Sequence, residues 1–311
     1  MKYSLKRLLS LIPIIFAITF LSFAMMRLAG SDVIEQKMLN TGEVASEEAI
    51  AEARHELGLD KPFIVQYFIW LGNLLRGDMG VSYVSGKNVF DTFISKLPAT
   101  LLLTFVSILM TVLISIPLGI LAAVRKNSFW DYFIRVCSFI GNSMPNFFVS
   151  LVLMYLFALK LGWFPVISKK ISFSSVVLPS VTLSIAMSAK YVRQVRSAVL
   201  DELNKDYVVG AKARGIKFPV ILWASVLKAS LTTIVSLLAL SIGSLLGGTA
   251  IVESIFMWDG VGKLAVDAIN MRDYPIIQSY VMWMALIYVL VNLITDLSYH
   301  LIDPRIRLKD G

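Results

Sequence analysis

Six stretches of this sequence run without a single charged residue: Leu8 to Met26, Leu97 to Val124, Val136 to Leu159, Ile171 to Ala189, Ala229 to Val252 and Tyr274 to Thr295. Each approaches or exceeds the roughly 18 apolar residues that mark a helix able to cross a bilayer, because a backbone in hydrocarbon must satisfy its own hydrogen bonds. A transmembrane barrel is excluded, since it needs segments of about ten residues alternating apolar and polar, and these runs are longer and apolar on every side. Only 16% of the residues are charged, against about 25% in an average soluble domain. The expected fold class is therefore an all-α polytopic membrane protein with six transmembrane helices.

Lys2, Lys6 and Arg7 precede the first run in the manner of a signal peptide. About nineteen apolar residues with no A-x-A site behind them predict a retained anchor. No cysteine follows "RLAGSD", which argues against a lipoprotein, and Cys137 is the only cysteine of the sequence, so neither a disulfide within the chain nor a cysteine metal cluster is available. The net charge of +8 does not imply nucleic acid, because the basic residues sort by membrane side. Lys2, Lys6, Arg7, Arg125, Lys126, Arg135, the set from Lys190 to Lys228, and Arg305, Arg307 and Lys309 fall on one side. By the positive-inside rule that side, with both termini, faces the cytoplasm of a multi-pass cell-membrane protein.

The organisation that follows is an N-terminal transmembrane helix (1–29), a folded extracytoplasmic insert between helices 1 and 2 (30–96), and a five-helix core (97–311) with a cytoplasmic loop at 191–228. Within the insert, Ser46 suits an N-cap, Glu47 and Glu48 suit the positive helix end, Ile50, Ala53 and Leu57 make a stripe, and Gly58 supplies a stop. A second helix starts near Pro62. Its run "PFIVQYFIWLGNLL" is too short to span; it lies either at the interface, with Tyr67 and Trp70 at headgroup depth, or packed on the bundle. Pro117 and Gly119, Gly141 and Pro145, Pro179, and Gly243, Gly247 and Gly248 are expected to break their spans, as in a bundle that contains a pathway. Gly243 and Gly247 have GxxxG spacing, which serves close helix packing or, with Gly248 and Pro145, a pathway.

Catalytic and metal signatures are missing from the pattern. "GNSMP" lacks a glycine of the nucleophile elbow and has no nearby histidine. His55 and His300 form no H-E-x-x-H pair, and "GVGKLA" lacks the first glycine and the Ser or Thr of a phosphate loop. No catalytic residue, metal ligand or cofactor is assigned to this chain; if ATP drives it, ATP and magnesium sit on partner subunits.

Between the fourth and fifth runs stands "DYVVGAKARGIKFP", with Asp206, Tyr207, Val208, Gly210, Ala211, Lys212, Ala213, Arg214 and Gly215. Small residues, followed by Gly215 and Pro219, predict a short helix and a tight turn. Such a helix is a handle for a partner; the alternative is that its basic residues only obey the positive-inside bias.

The same stretch resembles the EAA loop of ABC importer permeases. Gly215 occupies that motif's glycine, Ala211 its second alanine and Leu227 its leucine, while Val209, Gly210, Ser225 and Lys228 depart from its Glu, first Ala, Ile and Pro. "LGLDKPFIVQYFIWLGNLLRGDMGVSY", "LPATLLL", "IPLGILAA", "SMPNFF", "LGGTAIVESIFMWDGVGKLAVDAINMRDYPIIQ" and "LIDPRIR" look like the peptide/nickel permease family, in that family's order and over essentially the whole chain. The resemblance implies a type I ABC importer permease fold and a coupling helix at Asp206–Gly215 docking on one of two ATP-binding cassette ATPases. It further implies a second, non-identical permease making a heterodimer, and an extracytoplasmic solute-binding protein that delivers cargo. Tyr207, Val208 and Ala211 are expected on the packed face, with Lys212, Arg214 and Lys217 at the rim and Gly215 permitting the turn.

"SMPNFF", "GGTAIVESIFMWDGVG" and "NMRDYPIIQSY" look closest to nickel-type permeases, and "RLAGSD" departs from the "PGDP" of peptide permeases. Nickel or a related metal chelate is therefore the expected cargo, with dipeptides or oligopeptides as the alternative. Two further readings are an intramembrane hydrolase, for which no nucleophile and base pair is found, and a passive channel, which would not need the cytoplasmic loop. Glu253, Asp259, Asp267 and Asp273 are expected to be solvated. Lys190, Arg193 and Arg196, three residues apart, are expected to share a face at lipid headgroups.

Overall fold

The computed structural model describes residues 2–28, 50, 55, 60–167 and 171–302. The helix expected over Ser46 to Gly58 lies outside the described residues, apart from Ile50 and His55. The elements in chain order are α1 (Lys2–Leu28), α2 (Phe63–Leu75), α3 (Val89–Val124), α4 (Phe129–Ser143), α5 (Asn146–Leu153) with a π-helical continuation Met154–Lys160, and α6 (Phe173–Leu203). Then follow α7 (Asp206–Ala213), α8 (Phe218–Ile221) with a π-helical turn Leu222–Val226, α9 (Leu227–Ile255), α10 (Val261–Met271) and α11 (Tyr274–Ile302). Among the described residues there is no strand, only an isolated bridge between Val81 and Asn88.

Among the described residues, three helices, at Val89–Val124, Phe173–Leu203 and Tyr274–Leu293, are long and apolar enough to cross a membrane, and α4 with α5 makes a fourth if counted as one broken span. The 36 residues of α3 reach about 54 Å at the helical rise, well beyond a hydrocarbon core of about 30 Å. The helix therefore begins at Val89, inside the segment assigned to the insert. The run Val136 to Leu159 is not one rod. Its two pieces bend by 102°, because Pro145 cannot donate a helical bond and drives Met144 into extended backbone (φ −84°, ψ 127°). The other expected breaks do not occur: α3 continues through Pro117, α6 through Pro179 and α9 through Gly243, Gly247 and Gly248. Pro179 is itself buried, as are Val176, Leu178, Ser180, Thr182 and Leu183 around it. Packing over that length outweighs the roughly 3 kcal/mol that an interior proline costs.

The chain divides into two compact units. The first comprises residues up to Ala99 together with Asp259–Val289. Here α2 lies on α1. Tyr67 is buried at 1% exposure, ringed by Phe16, Phe20 and Phe23, and its hydroxyl shares a hydrogen bond of 3.0 Å with Thr19. Tyr67 and Trp70 thus turn towards α1, while Ile64, Val65 and Phe68 form the exposed face. A second core joins Met79, Val89, Ala268, Tyr274, Ile276 and Ile277, with Trp283 stacked on Phe93 at 5.4 Å.

The second unit spans Thr100–Trp258 and the chain from Leu290 onward. Its centre is α6, capped by a reciprocal Ser172–Ser175 box. Helix α3 approaches α6 so closely at Gly119 that an added Cβ would stand 2.6 Å from Val195. Gly141 does the same for α4, with Ala189 Cβ at 3.2 Å. Asp131, fully buried, accepts two hydrogen bonds of 2.7 Å from Arg196 and one of 2.9 Å from the Asn127 backbone, joining α4 to α6.

Candidate functional site

Helix α7 is eight residues long, too short to persist by itself. One face holds it. Val208 (0% exposed) and Ala211, spaced i and i+3, enter a core formed by Ala123 of α3, Val195 and Val199 of α6, and Ile221, Leu222, Val226 and Leu227 beyond the turn. The turn after α3 and the α7 loop therefore lie at the same end of this unit.

The C-terminus of α7 closes as a Schellman motif. The Ile216 amide donates to the Ala211 carbonyl (3.1 Å) and the Gly215 amide to that of Lys212 (2.9 Å), with Gly215 at φ +76°. A Cβ at Gly215 would meet nothing within 4 Å, so glycine is required there by backbone conformation and not by space. Gly210 is different: it is helical, exposed and also open to solvent, and nothing within this chain explains its lack of a side chain.

On α7, Tyr207 (39% exposed) and Val209 (62%) are exposed, as are Ile216, Val220 and Trp223 (68%) beyond the turn, with Asp206, Lys212, Ala213, Arg214 and Lys217 exposed among them. Lys212 stands over the Phe218 ring at 5.7 Å. Glu202, at the end of α6, ties the loop down by accepting from the Tyr207 hydroxyl (3.1 Å) and pairing with Lys205 (2.5 Å). Desolvation, then the hydrogen bond and charge of Glu202, push the Tyr207 hydroxyl up to about 12, so it remains a neutral donor at physiological pH. Of the trio expected on a packed face, Val208 and Ala211 pack into this chain's own core, whereas Tyr207 stays at the surface. The exposed apolar residues Val209, Ile216, Val220 and Trp223 escaped sequence reasoning; only Val209 lies on α7, off the i, i+3 pair Val208 and Ala211, where helical periodicity could have found it.

The remaining candidates disperse. Pro145 is the N-cap of α5 at the 102° bend, and Gly243, Gly247 and Gly248 lie within the continuous helix α9. Two of the four acidic residues expected in solvent are buried instead: Glu253 (0%) accepts from Thr100 at 2.7 Å, and Asp273 (2%) accepts from Ser82 and from the Tyr83 amide. Each can be buried because its oxygens have donors. Asp259 pairs with Lys96 and Asp267 with Lys263. Among the described residues no group of three His, Cys, Asp or Glu could hold a metal ion.

Comparison with known proteins agrees with this architecture. Residues 115–308 match the family described as binding-protein-dependent transport system inner membrane component, and residues 1–104 match that family's N-terminal component. The oligopeptide transport system permease protein AppB of Bacillus subtilis is 40% identical over 98% of both chains. The glutathione transport system permease protein GsiC of Salmonella typhimurium is 37% identical over 99% of this chain and 100% of its own. In shape, the chain resembles an inward-facing structure of the MetNI methionine ABC transporter with a TM-score of 0.58 at 16% identity, over 68% of this chain and 96% of that one. The long apolar helices and the match over nearly its whole length lead to one conclusion: the chain belongs to the binding-protein-dependent inner-membrane permeases, within the peptide/nickel family of ABC importers.

Proposed function

We propose that this chain is one half of the translocation pathway of an ATP-driven peptide importer, and that the exposed face of α7 and α8 is where an ATPase docks. The observation that carries the proposal is the two-sidedness of α7. Val208 and Ala211 fasten it to the bundle while Tyr207 and Val209 are exposed, continued beyond the turn by exposed Ile216, Val220 and Trp223. A lipid-facing helix needs no such basic rim as Lys212, Arg214 and Lys217, and a channel needs no such handle. A docked cassette closing on ATP would push α7, and the shared core would pass that push to α3, α6 and α9. The pathway then opens alternately to the two sides.

In this reading the chain crosses the membrane six times with both termini in the cytoplasm, and residues 30–96 form the extracytoplasmic insert that meets a binding protein. A second permease completes the pathway as a heterodimer, and ATP and magnesium belong to two ATPase chains. Peptides replace nickel as the cargo, because relatives alike over nearly the whole chain are named for oligopeptide and for glutathione. The stretches that pointed to nickel, such as "SMPNFF", are helix ends and turns in this fold. They contain no histidine or cysteine to hold nickel.

Cellular uptake of a labelled oligopeptide, of glutathione and of nickel, with and without the gene, tests this directly. Peptide or glutathione uptake that disappears on deletion, with nickel entry unchanged, is the expected result. Loss of nickel entry alone would overturn the cargo assignment and leave the permease assignment standing.

A further inference from the structure

The second unit contains a cavity of about 580 Å³ lined by Tyr132, Arg135, Val136 and Phe139 of α4 and by Arg193 and Arg196 of α6. Its three guanidinium groups are not equivalent. Arg196 is committed to buried Asp131 through two hydrogen bonds of 2.7 Å, and Asp131 accepts a further bond from Asn127. Arg135 lies over the Tyr132 ring at 5.3 Å. Among the described residues neither Arg135 nor Arg193 has a carboxylate partner, so three arginines and one aspartate leave the cavity with two positive charges.

Arg135 lies midway along α4, and exposed apolar side chains flank it on both sides, Phe129 (73% exposed), Trp130 (46%) and Phe133 (51%) before it and Val136 (57%), Phe139 (68%) and Ile140 (51%) after it. A small anion would use the arginines and ignore those side chains. A molecule with a phosphate at one end and hydrocarbon at the other matches both the arginines and the Val136 and Phe139 wall of the cavity. The expectation that Lys190, Arg193 and Arg196 together line headgroups is thereby revised: Arg196 is turned into the bundle by Asp131, and Arg135 takes its place beside Arg193.

We propose that this cavity binds the phosphate of an anionic phospholipid, with Arg135 and Arg193 on the headgroup and Val136 and Phe139 along the acyl chains. The inference rests on the membrane orientation given under the proposed function, which puts this end of α4 and α6 at the cytoplasmic leaflet. A bound lipid would bridge α4 and α6 at the same end of the unit as α7, close to the joint that an ATPase moves.

The test uses the whole importer, purified with its partner permease and ATPases, in phosphatidylcholine nanodiscs containing increasing phosphatidylglycerol. Retained phosphatidylglycerol is counted by native mass spectrometry. Each arginine removed should weaken retention roughly fivefold, and R135Q/R193Q together roughly thirtyfold. Arg125→Gln, which removes the same charge at the same end but outside the cavity, should leave retention unchanged. Phe139→Asn should reduce it while leaving the arginines in place. Retention unaffected by R135Q/R193Q would overturn the proposal. Displacement by millimolar inorganic phosphate would also overturn it, in favour of a small-anion site, and so would cross-linking of Phe139 positions to the partner permease, in favour of a subunit contact. Peptide uptake is measured on the same particles after transfer to vesicles. Intact uptake without retained phosphatidylglycerol would sink the lipid site alone, and absent uptake with retained lipid would sink the importer reading alone.

Discussion

The turn at Gly215 allows a perturbation whose size follows from geometry. Its φ is +76°, and a Cβ there would touch nothing within 4 Å, so a substitution is penalised by backbone conformation only. An L-residue in the left-handed region costs about 1–2 kcal/mol; asparagine tolerates that region better than alanine, and a β-branched residue worse. Against this stands what holds α7. Full burial of a valine contributes roughly 1.5–3 kcal/mol, and Val208 is the fully buried residue of the helix. Gly215→Ala should therefore raise the open fraction of α7 roughly five- to thirtyfold, from about one per cent to about a tenth. Hydrogen exchange at Arg214 and Ile216, whose amides bond to Gly210 and Ala211, reads that change directly. Exchange should rise in the order Gly, Asn, Ala, Val. Because affinity falls only in proportion to the competent fraction, peptide uptake should change less than about twofold in Gly215→Ala and collapse only in Gly215→Val, with the rest of the bundle still folded. Equal exchange in the Asn and Ala variants would refute the claim that the left-handed turn ends α7. Undiminished uptake in Gly215→Val would refute the role given to the loop.

Further outcomes concern the packing that positions this site. Gly119→Leu should reduce the thermal stability of the purified complex sharply, since even a Cβ there meets Val195 at 2.6 Å and the Val192 carbonyl at 3.0 Å; overpacking of this kind costs about 1–3 kcal/mol or more. Asp131→Ala should destabilise by about 3–5 kcal/mol, and the pairing with Arg196 is checked by a double-mutant cycle in which Arg196→Met recovers part of the loss. Asp273→Ala removes the acceptor for Ser82 and for the Tyr83 amide and should loosen residues 80–88 by about 1–3 kcal/mol, measurable as faster proteolysis of that segment. The raised Tyr207 hydroxyl has a definite sign. Its contribution is fully present below about pH 10 and is lost as pH rises towards about 12. ATPase activity of wild type and Tyr207→Phe should consequently run parallel between about pH 6 and about pH 9.

Much of this protein was legible in its sequence because hydrocarbon admits so few backbone solutions. An uncharged run of that length must be helical, and the runs map onto helices in order. The short helix at Asp206 and the glycine turn at Gly215 were legible for a local reason: the small residues, Gly215 and Pro219 lie within about ten positions of one another. Cargo was not legible, because overall likeness does not separate solutes: relatives alike over nearly the whole chain are named for oligopeptide and for glutathione.

What the sequence by itself determined is helicity, the position of the loop and the turn that closes it, since each depends on neighbours along the chain. Only the tertiary structure decided which residues those elements bury. Tyr67 faces α1, Glu253 is inside with Thr100 as its donor, and Arg196 is spent on Asp131, which leaves Arg135 beside Arg193. Proline shows the same division. Pro145 breaks its helix while Pro179 does not, because the cost of a lost hydrogen bond is set locally, whereas the packing that offsets it comes from residues distant in sequence.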